Sequence, residues 1–461
     1  YAYSVSCAIA LCEGPITRIG SVWADGNLLD LSGISYRAYL GSETQVPDST
    51  MEAVEGAGNV PAYKGLAYIV VEDLQLADFG NRLPQLSIEV FRALSDIEQD
   101  IKAVTIIPGA TEFGYDTRSF RRIFANGVSD SENMNNRLGG TDWQVSLDDL
   151  QATCPNLNAA ALVVSWYGND LRCGSCSLRP KVDRQDKVTI PENWQVAGLG
   201  RGMAQEVSRV DGRPAFGGTP SDASAKRAIE DLKSRGLSVC FYPFILMDVP
   251  SGNGLPDPYG GSEQAAYPWR GRMSIDPAPG FVGSTDKTLA VGGDVAAFFG
   301  TASASDFSVS ALGVTYSGPE EWSYRRMILH NAALCAWAGG VESFLIGSEM
   351  RGLTQLRDSA TTYPGVTELL SLAAEVRAWL GPSTKVSYAA DWSEYFGHQP
   401  ADGSGDVFFH LDPLWSDANI DFVGIDNYMP LADWRDGTSH LDADAGASSI
   451  YDLNYLKSNV A

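Results

Sequence analysis

The sequence predicts a multidomain chain in which a small β-rich module is followed by a (β/α)8 barrel whose last strands are not reached. Three observations predict this. Short runs of β-branched and aromatic residues separated by turn residues fill residues 1–92. From about residue 156 the rhythm changes to strand, loop, helix. The apolar run Val341–Ile346 ends on Gly347-Ser348-Glu349, where a buried parallel strand delivers side chains to a barrel mouth.

In the module, the runs 16–23, 65–71 and 86–91 have strand length and composition. Asp25-Gly26, between Ser21-Val22-Trp23 and Leu28-Leu29, reads as a hairpin turn. No catalytic set occurs here, so its role reads as structural. Residues 93–155 read as a connecting region, with a strand in 101–108 and a helix over 145–153 opened by Ser146 and Asp148-Asp149.

The barrel is assigned to 156–461. Ala159–Trp166 is its first apolar strand, and a second is placed within 206–216. Ser221 caps a helix that runs through Ile229 and Leu232 and is stopped by Gly236. The strand 237–246 follows and ends near Asp248. Residues 248–318 are rich in Gly, Pro and Asp and too long for an ordinary connection, so they read as a lid or wall over the mouth. Within them Trp269 and Arg270 offer an aromatic platform and a guanidinium, or a loop pinned by Trp burial. Helices follow at 320–338 and 364–380, the second entered through Pro364 and left at Gly381-Pro382. Strands 385–392 and 420–428 end on Asp391-Trp392 and Asp426-Asn427-Tyr428, and 450–458 reads as a last helix. Six strands are counted, two short of closure.

The repeated strand ends define a candidate mouth. Glu349 is the candidate general acid, because a half-desolvated carboxyl can hold a raised pKa; a cap, or a pair with Arg351, is the plain alternative. Trp166, Asp170, Arg172, Asp248, Trp269, Arg270, Asp391, Trp392, Asp426 and Tyr428 are the candidate substrate contacts. Carboxylates for proton work beside aromatic rings for stacking suit a sugar. Asp391 and Asp426 read as sugar contacts, with a nucleophile role as the alternative for either.

The chain carries 33 basic and 57 acidic side chains, a net charge of −24, with no basic cluster able to track phosphates. Direct nucleic-acid binding is therefore not expected. Residues 388–461 hold thirteen Asp/Glu against Arg435 and Lys457. No apolar run is long enough to span a bilayer. A first residue of Tyr rather than Met marks an internal or processed fragment. Seven cysteines include a lone Cys173-Gly174-Ser175-Cys176, read as a loop disulfide or two free thiols. The four histidines lack metal-ligand spacing, His330 falling on a helix face and His398 and His410 in loop or core, so neither a metal nor a cofactor is expected.

Longer motifs carry a resemblance. Cys12-Glu13-Gly14-Pro15-Ile16, Pro61-Ala62-Tyr63-Lys64-Gly65 and Phe79-Gly80-Asn81-Arg82-Leu83-Pro84 resemble the tail-hub segment of siphophage and gene transfer agent tail proteins. Trp166–Arg172, Gly217–Asp222, Pro243–Asp248 and Pro268–Arg272 resemble the TIM-barrel-like domain of the gene transfer agent baseplate protein. The resemblance spans almost the whole chain. It implies a tail-tip or baseplate component, assembled in the host cytoplasm and then extracellular. Its partners would be other tail proteins, in a threefold ring of this chain. The acidic charge would suit a channel whose walls repel DNA. The barrel is similar in turn to retaining glycoside hydrolases, which implies binding or cleavage of a cell-envelope glycan, or an inactive barrel kept as scaffold. In those enzymes the acid/base Glu ends the fourth strand, as Glu349 does. Their nucleophile ends the seventh strand, expected beyond Tyr455–Asn459, and no residue here takes that role. Ser348 stands where many of them have Asn.

Overall fold

The computed structural model describes residues 3–93, 97–125, 127–136 and 138–460. In the N-terminal module, Leu66–Gln75 is the central strand of an antiparallel trio with Ser4–Glu13 and Ser35–Leu40. Arg18–Ala24 pairs with Leu86–Phe91 and, through the Asp25-Gly26 turn, with Asn27–Leu28. Both turn residues are left-handed, φ 49° and 81°, the geometry that a two-residue hairpin needs. Ile69, Val71, Leu74 and Leu76 form the module's small core. The outer strands 4–13 and 35–40, which the sequence reading did not place, are set by their pairing with Leu66–Gln75.

The second part is built on six parallel strands in chain order: Ala103–Ile106, Ala159–Gly168, Ser238–Met247, Ser343–Ser348, Lys385–Asp391 and Gly424–Asp426. This is a β/α barrel open on one side among the described residues. Leu178–Arg179 adds an antiparallel pair beside Tyr167-Gly168. Helices Asp222–Ser234, Tyr324–Trp337 and Pro364–Leu380 pack on the outer face. Strand alternation divides the barrel residues. Leu162, Val164, Trp166, Phe241, Phe344, Ile346, Val386 and Tyr388 join the helices in the main core, while Val163, Tyr242, Leu345 and Ala389 meet inside.

Several expectations are corrected. Residues 206–216 hold only short two-residue pairings, because Gly212, Pro214 and the charged residues there offer no apolar face. The first barrel strand is instead Ala103–Ile106, from the segment read as a connector. Glu349 still follows the fourth strand. The helix expected from 145 begins at Asp142, because Thr141 and Gln144 form a reciprocal capping box. The 248–318 insertion is not featureless: it contains the helix Ala290–Phe299 and the hairpin Phe307–Ser310 with Gly313–Tyr316. The sixth strand is three residues long rather than nine. Cys173 and Cys176 are separate buried thiols.

Candidate active site

The strand ends converge on a cleft of about 820 Å³. Its floor comes from inward-facing residues of the second and third strands, Val163, Ser165, Tyr167, Tyr242 and Phe244. Trp269, Arg270, Glu349, Asp391, Trp392, Asp426 and Tyr428 line it as well. Trp269 and Tyr428 present exposed faces, at 38% and 72%, and Trp392 is half-buried.

Glu349 is buried and takes a left-handed backbone, φ 48°, a conformation costly for a residue with a β-carbon. The preceding Gly347, φ 155°, packs its Cα against the Tyr324 hydroxyl, which donates to the Ile346 carbonyl at 2.5 Å. One Glu349 oxygen, Oε2, accepts the Trp269 indole N–H at 2.7 Å and lies 3.0 Å from Nη2 of Arg270. Its cation is thus Arg270, from the insertion, and not Arg351. Arg270 also donates to the Ser348 carbonyl and hydroxyl, both at 3.0 Å, and stacks 3.8 Å from the Phe244 ring centre. Asp426 reaches this group from the sixth strand. It accepts the Tyr242 hydroxyl at 2.5 Å, lies 3.9 Å from Arg270 Nη2 and is in hydrogen-bonding contact with Glu349. Burial first, and then the adjoining Glu349 carboxyl, raise the Asp426 pKa to about 6 against the opposing pull of Tyr242 and Arg270. The two carboxyls adjoin, and the nearby Glu349 carboxyl disfavours ionisation of Asp426. Asp391 caps the one-turn helix Trp392–Tyr395 through the Ser393 amide at 3.0 Å.

Four of the predicted contacts lie elsewhere. Trp166 is fully buried on the opposite strand face, against Trp322 and His330, and its neighbour Tyr167 faces the cleft instead. Asp170 holds Arg172 at 2.7 Å and accepts the Gln264 amide at 2.7 Å, fastening the insertion. Asp248 is buried against Lys181 at 2.7 Å and accepts the Ser208 amide. Tyr242 and Phe244 went unnoticed in the sequence. Their signal is the i, i+2 spacing of aromatic rings within a continuous apolar strand, visible only once it is known which face is inner. Among the described residues no group of acidic, His or Cys side chains is arranged to hold a metal.

Comparisons with known proteins bear on the second half. Residues 322–461 match the family described as the GTA TIM-barrel-like domain. A chain in the virion of a native gene transfer agent particle is 53% identical over 21% of this chain and 24% of that chain, with a TM-score of 0.20. The match thus spans about a quarter of that particle chain's length. A GH113 β-1,4-mannanase is 15% identical over 63% of this chain and 58% of its own, TM-score 0.31. The GH113 β-mannanase AaManA of Alicyclobacillus acidocaldarius is 14% identical over 61% and 54%, TM-score 0.28. No curated protein matches.

Proposed function

We propose that this chain is a structural component of the tail tip or baseplate of a gene transfer agent particle, and that its barrel binds cell-envelope glycan in the cleft beside Glu349. The particle reading is supported by the family match of residues 322–461 and by the 53% identity to a particle chain. Its partners in that setting are other particle proteins and further copies of itself in a threefold ring. The domain limits 1–92, 93–155 and 156–461 belong to the same proposal, the last amended to take in the strand Ala103–Ile106.

The glycan reading rests on one observation: the adjoining carboxyls of Glu349 and Asp426 sit among the aromatic faces of Trp269, Trp392 and Tyr428. Flat rings cover the apolar face of a pyranose, and fixed carboxyls take its hydroxyls. The place of Glu349 in the cleft, just past the fourth strand, also favours a second reading, cleavage. Glu349 would protonate the leaving oxygen and later, as carboxylate, take a proton from water. Asp426 touches Glu349, whereas an acid and its nucleophile flank the sugar at about 5 Å. Asp426 is therefore a neighbour of the acid rather than its nucleophile, and a further carboxylate would be needed for that role.

The test is incubation of the chain and its Glu349→Gln variant with purified sacculi, following both retention and reducing ends. Retention without release supports recognition alone. Release that the variant loses supports Glu349 as the acid, and no retention by either overturns the glycan reading.

A further inference from the structure

Glu394 lies beneath the cleft and is 1% exposed. Its Oε2 accepts the Asp391 amide at 2.8 Å, and its Oε1 accepts the Thr354 hydroxyl at 2.6 Å. The Tyr388 hydroxyl stands 3.2 Å from both oxygens and itself accepts the Met350 amide at 2.7 Å. Met350 directly follows Glu349, and Asp391 directly precedes Trp392. One buried carboxyl thus joins the turn after the fourth strand to the turn after the fifth.

Helix capping accounts for the Asp391 contact alone. It does not call for burial of the whole carboxyl, which is costly without partners, nor for two hydroxyl donors, Thr354 from beyond the fourth strand and Tyr388 from the fifth strand, whose oxygen holds the Met350 amide. Those groups connect Glu394 to the segment that holds Glu349 in its left-handed conformation. Burial, offset by these donors, raises the Glu394 pKa to about 7, and the bonds to Thr354 and Asp391 need only its acceptor oxygens.

We infer that Glu394 is a positioning residue, which fixes the Glu349-Met350 turn through Tyr388 and the Asp391-Trp392 pair through the Asp391 amide, and so sets the width of the cleft between them. The purpose of that width rests on the glycan reading; the geometry does not, and its test uses no glycan.

The test compares the full chain with Tyr388→Phe and Glu394→Gln by residue-resolved amide hydrogen exchange and by fluorine NMR of 5-fluorotryptophan. Tyr388→Phe removes the hydroxyl that links Glu394 to Met350 and leaves the Thr354 and Asp391 bonds to Glu394 in place. Its Met350 amide should exchange at least tenfold faster and the Trp269 resonance should move, while Asp391 and Trp392 stay as in the parent. Glu394→Gln should loosen both amides and move both tryptophan resonances. Unchanged Met350 exchange in Tyr388→Phe overturns the inference. So does faster exchange spread equally over the strand Ala159–Gly168, which is the sign of a merely structural role. Tyr388→Phe keeps the carboxyl in place, so the inference remains testable if Glu394→Gln does not fold.

Discussion

Glu349 is a buried carboxyl and needs partners, which Arg270 and the Trp269 indole supply, while its own carboxyl raises the pKa of the adjoining Asp426. Replacing Glu349 with Gln removes the neighbouring carboxyl but leaves Asp426 half-buried. Its carboxyl should then titrate clearly below its present value of about 6, as read by carbon NMR of labelled Asp; an unmoved titration would mean that burial alone raises it. Gly347 allows the turn that precedes this group, because an added β-carbon would run into the Tyr324 hydroxyl. Gly347→Ala should cost roughly 1–3 kcal/mol in urea unfolding, and Tyr324→Phe in the same chain should recover part of it. The residue types at this site were legible in the sequence, but their faces were not. Trp166 and Tyr167 are adjacent aromatic residues in a strand whose one polar side chain, Ser165, gives no alternation from which to tell the inward face.

Among the elements, the helices with strong caps fell close to where the sequence placed them. Ser221 opens one helix, and Pro364 with Gly381 bounds another. The helix at 142 was misplaced by three residues because Ser146 was taken for a cap that Thr141 supplies. Thr141→Ala should therefore cost about 1 kcal/mol, and Ser146→Ala no more than about 0.5 kcal/mol, in chemical denaturation. A strand was expected within 101–108, but its place as the first strand of the barrel was not. Ala103–Ile106 is four residues long and owes its place to pairing with Ala159–Leu162, a tertiary contact that no local pattern announces. The insertion was legible as a wall but not as structure. Its contribution to the site comes from one short turn, in which Gly271 lets the Trp269 ring lie against the backbone while Arg270 reaches Glu349.

Across the molecule, burial of titratable groups acts in two directions. Glu394 is raised from 4.5 to about 7 and Asp426 from 3.8 to about 6, both by burial first. Each stabilises fully below its unfolded value, and that contribution is lost as pH rises through the folded one. His398 and His410 are lowered from 6.5 to about 4, again by burial, so their contribution is present above 6.5 and is lost as pH falls through about 4. The two sets oppose each other in mild acid, and variants are needed to separate them. Glu394→Gln cannot ionise. Relative to the parent, it should therefore be less destabilised at pH 8 than at pH 5, by about 2–3 kcal/mol in urea unfolding.

The central claim is that the cleft beside Glu349 holds envelope glycan between aromatic faces. Calorimetric titration with soluble fragments released from sacculi tests it most directly, comparing the parent with Trp269→Ala and Trp392→Ala. The account predicts saturable binding in the parent and at least a tenfold loss in each variant, about 1.4 kcal/mol or more. Equal affinities in all three, or no binding in the parent, would contradict it.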